Sequence, residues 1–396
     1  MKFSKKFWSK FSITILICSI LLSGYFALWN KYWSDGDEFH YLVMSNSFIQ
    51  DKDFNLKNDY ENKEYFSHHS HEENPHGYKT KFGQLRSHHN ILLPIIVAPG
   101  YVARNILGAR LVVWAISILS IFALLLYLKY HSFSSASSKL ISSLFILQLP
   151  IITYSQYVYT DLISGYLMLW GTLPLLSYLK KPSNWKLFVS SSIFGLASFL
   201  HIKLVQYTFL ILVFFSIYIL SKKLQIKIKS IKTIFLTKSS YVFLLKVFGL
   251  WSFFQLLFTF TMYRWYGEFS PAAAHNLLSQ NSSEYSSFYT YNPVRIVQNF
   301  FGLFFGGESG LLANAPLFVL LFAGLIIWKN KNFQSFFIVA IPSIIFFFRQ
   351  SMFLKWRTWG PPARYTIVFL PLLIPAISYS ILAIWPKKLV KSLLPL

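Results

Sequence analysis

Charge is scarce in this 396-residue chain. Asp, Glu, Lys and Arg make up 13% of it, against about 25% in an ordinary soluble domain. Acid is scarcer still, with 14 Asp and Glu against 37 Lys and Arg, for a net charge of +23. Cysteine is nearly absent: Cys18 stands alone, which excludes an internal disulfide and leaves the redox compartment unread. No internal repeat, heptad run or Gly/Ser-rich linker breaks the chain, so neither a second soluble domain nor a repeat-built transporter is indicated. What fills the space is apolar: 54% hydrophobic residues and 19% aromatic ones.

Several apolar runs reach the ~20 residues a helix needs to cross a bilayer. The composition therefore predicts an all-α polytopic membrane protein, a single membrane domain over residues 1–396. Ten transmembrane helices are expected, at 12–30, 109–129, 138–156, 161–179, 186–202, 203–221, 240–263, 311–328, 333–348 and 366–385. The N-terminal stretch MKFSKKFWSK followed by FSITILICSILLSGYFALW has the features of a cleavable signal, but its apolar run is long for one and predicts a retained first span.

With the N-terminus in the cytoplasm, the short inner loops and the C-terminal tail are all basic, as the positive-inside rule requires. The acids give a separate check, because that rule hardly uses them. Ten lie between Asp35 and Glu73, followed by Asp161, Glu268, Glu284 and Glu308, and all 14 fall on the opposite side. On a multi-pass chain Lys and Arg mostly report topology, so the basic surplus is no nucleic-acid footprint. The expected location is the cytoplasmic (inner) membrane, with both termini cytoplasmic and any chemistry on the outer face. Three long outer segments follow, 31–108, 264–310 and 349–365, the first carrying interfacial helices.

The first segment opens with WSDGDEFHYLVMSNSF, three carboxylates in four residues at a membrane exit. Phe39, Leu42, Val43 and Ile49 recur at helical spacing and predict an interfacial helix over 37–50, entered through Gly36. Asp35 or Asp37 then lies at its N-terminus, where a carboxylate is stabilised by free N–H groups. A capping acid in a solvated loop is the plain reading. Asp37 and Glu38 as chemical groups at a cavity mouth is the sharper one.

Seven of the ten histidines belong to this segment: His40, His68, His69, His71, His76, His88 and His89. Without an HExxH pattern or a Cys pair they assign no metal site, and a solvated polar loop and a metal cluster both stand. A second interfacial helix is expected in SHHNILLPIIVAPGYVARNILGAR, bringing His88 and His89 toward the first acids as substrate-positioning or anchoring groups.

Further along, Asp161 sits in a tight turn between spans, as a functional acid or an N-cap. His201 and Lys203 share the outer end of another hairpin, where Lys203 runs against the topological trend and calls for a phosphate or carboxylate partner, or else snorkels. Asn292-Pro293 signals a helix start, and Gly306-Gly307-Glu308-Ser309-Gly310 a break before the next span, with Glu308 the notable side chain. The third segment, RQSMFLKWRTWGPPARY, sets Arg349, Lys355, Arg357 and Arg364 among aromatics on the outer face. Such a set suits a phosphate or, more plainly, lipid headgroups.

Taken in order, Asp37-Glu38-Phe-His-Tyr, LPIIVAPGY before Ala109-Arg110-Leu111, YVYTDLISGY, FLHIKL, GLFFGGESGLLANAP and WGPPARY resemble GT-C type membrane glycosyltransferases of the bacterial, protein-mannosyltransferase-like kind. The resemblance covers most of the chain. It departs in the His-rich first segment and in lacking a soluble domain at the last cytoplasmic end.

The resemblance implies transfer of a sugar from a polyprenyl-phosphate donor, in the outer leaflet, to a glycan, lipid or protein acceptor. Membrane lipids are partners and nucleic acid is not. It casts Asp37 as base with Glu38 beside it, and Arg357, Arg364, Lys355 and Lys203 as phosphate-binding groups. His40, His88, His89, Asp161, His201 and Glu308 become positioning groups. No cofactor is assigned, a divalent metal being left open. Rival readings are a polysaccharide ligase or polymerase, a transporter or flippase, and a non-catalytic membrane scaffold.

Overall fold

Among the described residues, six helices are long and apolar enough to cross a membrane: Lys6–Trp29, Leu92–Tyr130, Thr160–Lys180, Lys203–Lys222, Lys238–Tyr266 and Phe333–Ser351. They belong to a computed structural model that describes residues 5–29, 34, 36–67, 69, 72, 74–80, 82–223, 237–276, 290–353 and 362–384. The molecule is an all-α, multi-pass membrane protein, as its composition predicts.

The described elements run in chain order as follows. Helix α1 covers Lys5–Trp29, α2 Asp37–Gln50 and α3 Lys57–Glu61. The small hairpin β1 (Gly77–Lys79) and β2 (Leu85–Ser87) comes next. Then follow α4 (Leu92–Tyr130), α5 (Ser135–Ile146), α6 (Leu149–Tyr154), α7 (Thr160–Lys180), α8 (Asn184–Leu200) and α9 (Lys203–Lys223). The remainder is α10 (Lys238–Tyr266), α11 (Pro293–Phe305), α12 (Leu320–Lys331), α13 (Phe333–Ser351), a single turn at Arg364–Ile367 and α14 (Leu370–Ile384).

By length and composition six of the described helices could cross a membrane where ten spans are expected, and proline interrupts two of the other four expected segments. Residues 138–156 divide into α5 and α6 at Leu147-Gln148, and α6 restarts with Pro150 in its first turn, where the missing N–H costs nothing. Residues 311–328 break at Ala315, held at φ −148° ahead of Pro316, because a residue before proline avoids the helical region. Helix α8 has only 17 residues, and the last expected span is helical in two pieces, Arg364–Ile367 and α14.

Helix α4 differs in the other direction. The expected second interfacial helix and the following span form one 39-residue stretch, bent where Arg104 and Asn105 leave helical geometry and Asn105 takes φ 52°. The segment 31–108 thus holds α2, α3, the hairpin and the first limb of α4.

One buried apolar cluster runs from Leu42 of α2 through α4, α5, α7, α8 and α9 to α13 and α14. In sequence-neighbouring pairs α7 packs on α8; across longer separations α1 meets α5, α2 meets α4, α4 meets α7, α8 meets α10 and α12 meets α14. Gly324 shows how close that last crossing is: a Cβ there would collide with the Ala376 carbonyl. Helices without a hydrophobic drive between them in lipid associate through such small residues. Outward-facing side chains such as Leu21, Trp29, Leu119 and Leu245 stay exposed and apolar, as a lipid-facing surface requires.

Helix α2 is more enclosed than an interfacial helix. Phe39, Leu42 and Val43 are buried as their spacing predicts, but so are Glu38, His40, Tyr41, Met44, Ser45 and Ser47. It lies against α4 and under α3 instead of floating on a surface.

Candidate functional site

Four element ends meet at one end of the bundle: the start of α2, of α7 and of α9, and the turn at Arg364. Gly36 makes the junction possible. Its φ is +56°, and a Cβ on it would come 2.5 Å from the Tyr159 hydroxyl oxygen, so a bulkier residue meets both backbone strain and a clash. Gly36 is itself the N-cap position and carries no side-chain cap. Asp37 lies in the first helical turn, near the N-terminus as expected, and its carboxylate is taken by a cation instead of capping the helix. Asp35 lies outside the described residues.

That cation is Arg364. Its guanidinium pairs with Asp37 and also donates from Nε to Asp161 Oδ2 at 3.3 Å. The Lys203 ammonium pairs with the other Asp161 oxygen. Two acids and two bases thus form a chain, Asp37, Arg364, Asp161, Lys203, balanced in formal charge. Tyr159 lies under the guanidinium, 5.3 Å from ring centroid to Cζ, within cation–π range.

Exposure separates the two acids. The Asp37 side chain is 19% exposed and that of Arg364 15%, while Asp161 is 1% exposed. Asp37 is the more accessible of the two carboxylates. Burial alone would raise its pKa, but the Arg364 guanidinium outweighs burial and holds the carboxyl below its usual value.

Glu38, next in sequence, turns the opposite way and is sealed. Arg110 of α4 donates to both its oxygens, Nε to Oε1 at 2.9 Å and Nη2 to Oε2 at 2.6 Å, and neither side chain has any exposed surface. The Val158 N–H adds a third bond to Oε1 at 2.9 Å. The Arg110 guanidinium also faces the Tyr157 ring at 4.8 Å. A bidentate fork with a backbone donor is the geometry that lets a buried ion pair offset its desolvation.

The histidines gather beside this junction. His40, one turn after Asp37 on α2, accepts or donates at 2.8 Å between Nδ1 and the Tyr60 hydroxyl, and stacks on His76 at 3.7 Å. His88 and His89 leave β2 with ring centroids 4.2 Å apart, and His275, beyond α10, approaches His88 to 6.1 Å. Burial, then the neighbouring rings His76 and His89, pushes His40 well below 6.5. Burial likewise lowers His88 to about 3 and His275 to about 4, so these imidazoles are neutral at pH 7.

Of the remaining expected groups, His201 lies at the end of α8 and its Nδ1 accepts the Lys203 N–H at 3.3 Å. Lys203 was expected to meet a phosphate or a carboxylate, and the structure gives it Asp161. Glu308 is not brought in among the described residues: it is exposed on its turn, although the neighbouring Ser309 carbonyl accepts the Ala363 N–H at 3.0 Å. Lys355, Arg357, His68 and His71 lie outside the described residues.

Three participants escaped assignment to the site from sequence. Arg110 sits inside an apolar run, a signal in itself, since a charge at such a depth needs a partner. Tyr159 and His275 carried no local signal.

No family model matches the sequence, and no curated protein matches it significantly. Solved structures do match in fold. ArnT from Cupriavidus metallidurans in the apo state superposes with a TM-score of 0.57 at 13% identity, over 96% of this chain and 61% of that one. The same protein bound to undecaprenyl phosphate gives 0.57 at 12%, over 96% and 62%. The archaeal oligosaccharyltransferase AglB from Archaeoglobus fulgidus, in complex with an inhibitory peptide and a dolichol-phosphate, gives 0.50 at 13%, over 94% and 50%. The likeness is one of fold, to the GT-C architecture, and this chain spans between half and about three-fifths of those proteins' length.

Proposed function

We propose that this protein is a membrane glycosyltransferase that moves a sugar from a polyprenyl-phosphate carrier to an acceptor hydroxyl on the non-cytoplasmic face. The observation that carries this reading is Arg364, held between the more accessible carboxylate, Asp37, and a buried one, Asp161, with Lys203 behind it. The fold adds support, because one neighbour of that architecture was solved with undecaprenyl phosphate and another with a dolichol-phosphate.

The chemistry divides between the two ends of the charged chain. The acceptor oxygen attacks the anomeric carbon, the bond from that carbon to the phosphate oxygen breaks, and the polyprenyl phosphate departs with the electron pair. The acceptor proton passes to the Asp37 carboxylate. Charge growing on the phosphate is met by Arg364 and Lys203, helped by Lys355 and Arg357 of the neighbouring segment.

Paired with Arg364, Asp37 is a weak base. An incoming phosphate competes for the guanidinium, and Asp37 regains basicity as that contact loosens. Donor binding and base activation are then one event. Glu38, sealed against Arg110, has no path to an acceptor and serves by fixing α2. His40, His88, His89 and His201 line the approach as neutral hydrogen-bonding groups, and Glu308 stands apart at its edge.

The test is transfer by the purified chain from a panel of polyprenyl-phosphate sugars, with Asp37→Asn beside it. Transfer by wild type that falls by about 10²-fold or more in the variant supports the reading. Equal turnover in the two would remove Asp37 as the base, and no transfer from any donor by well-folded protein would remove the function.

A further inference from the structure

We propose that His76, His88 and His89 form a binding site for a divalent transition-metal ion of the zinc class. The hairpin builds it. Strands β1 and β2 pair antiparallel with Gly77 opposite Ser87, so the residues flanking that pair, His76 and His88, emerge side by side. The join is tied twice: the His88 N–H donates to the His76 carbonyl at 3.2 Å, and the Ser87 hydroxyl donates to the same carbonyl at 3.1 Å. The Ser87 hydroxyl oxygen also accepts the His89 N–H at 3.1 Å, turning the third ring toward the other two.

Each of the three residues offers one ring nitrogen, and those three nitrogens lie within 4.8 Å of one another. Ligands around a tetrahedral ion with bonds of about 2.0–2.1 Å stand about 3.3 Å apart, so the nitrogens need to draw in by no more than about 1.5 Å to close on an ion. A second observation points the same way. His88 Nδ1 is shut from solvent, and His89 Nε2 is likewise shut from solvent and has no hydrogen-bond partner among the described residues. Buried polar atoms are seldom left so. His76 is exposed and gives an ion a way in.

Three imidazoles select for zinc, cobalt, nickel or copper over magnesium or calcium, which prefer oxygen ligands. They also leave a fourth position open, the arrangement of reactive sites and not of closed structural ones. His40 stacks on His76 at 3.7 Å and is one helical turn from Asp37, so an ion there borders the charged junction.

The experiment uses the full chain in detergent, stripped with a chelator and titrated with Zn²⁺ or Co²⁺ alone. No sugar donor is present, so the outcome is separate from the proposed transfer reaction. One equivalent should be retained, with the visible absorption of nitrogen-ligated Co²⁺. His76→Gln, His88→Gln and His89→Gln should each weaken binding by more than about 100-fold, beyond the loss that outer-shell changes cause. Absence of stoichiometric binding, or binding unchanged in the His88→Gln/His89→Gln double variant, would overturn the site. If a variant fails to fold, wild type decides: Zn²⁺ should protect His88 and His89 from diethyl pyrocarbonate, and equal modification with and without metal counts against the proposal.

Discussion

Two ion pairs begin from adjacent residues of α2 and live in different worlds. Glu38 and Arg110 are sealed, forked and bound by a third donor. Asp37 and Arg364 are partly open, and the guanidinium is shared with a second acid. The difference lies in what each pair can exchange. A pair with no exposed surface can trade neither partner without leaving a naked charge, so it holds structure. A half-open pair with a divided cation can give up one contact to an incoming anion, so it can take part in chemistry.

Breaking the sealed pair should have the largest effect. Arg110→Ala leaves the buried Glu38 without its cation, at a loss of about 3–5 kcal/mol, seen as a sharp fall in the thermal midpoint or loss of monodisperse protein. Arg110→Met with Glu38→Leu should recover much of it, since matched apolar replacement of a buried pair is often tolerated. If Arg110→Ala folds as well as wild type, the contrast between the pairs collapses.

The open pair should answer in activity. Asp37→Asn is expected to keep its thermal midpoint within a few degrees while transfer falls by about 10²–10⁴-fold. Glu38→Gln, the same chemical change one residue on, should instead show first as a lowered thermal midpoint. Smaller is the coupling between Asp37→Asn and Arg364→Gln: the double variant should depart from additivity by about 0.5–3 kcal/mol in donor binding, whereas strict additivity would mean that Arg364 does not serve both tasks.

A third acid sharpens the comparison, being buried with no cation among the described residues. Asp59 of α3 has an Asn46 amide at 3.3 Å, and burial pushes its carboxyl up to about 7. Between 3.8 and about 7 the folded state therefore holds a proton that the unfolded state has lost. Stability then falls as pH rises through that window. Asp37, with its lowered pKa, has the opposite sign: its contribution is present above the unfolded value and lost as pH falls through the folded one. Asp59→Asn should accordingly raise the thermal midpoint at pH 8 and change it far less near pH 4. A gain at both pH values would mean that Asp59 is not protonated in the fold.

Much of this was legible from residue chemistry. Asp37, Asp161, Lys203 and Arg364 each stood out because charge at a membrane boundary needs a reason. Their joining did not, since Asp161 and Arg364 are separated by 203 residues and pairing across such distance leaves no local trace. Sequence set Asp37 ahead of Glu38 only by resemblance; the direction of each side chain, set by Gly36 and Arg110, tells them apart physically. The ten-span count is not confirmed, because Pro150 and Pro316 interrupt two runs that hydropathy reads as continuous. The histidines were visible as a crowd, but the hairpin register that selects three of them was not.

The Arg110 fork has one more consequence, for rotation. Successive residues on a helix are turned by about 100°, so a slip of α2 by one position would bring Glu38 toward the place of Asp37. Gripping Glu38 by both oxygens makes Arg110 an angular stop. Which carboxylate looks outward is settled on the hidden side of the helix, by a residue that never meets what binds there.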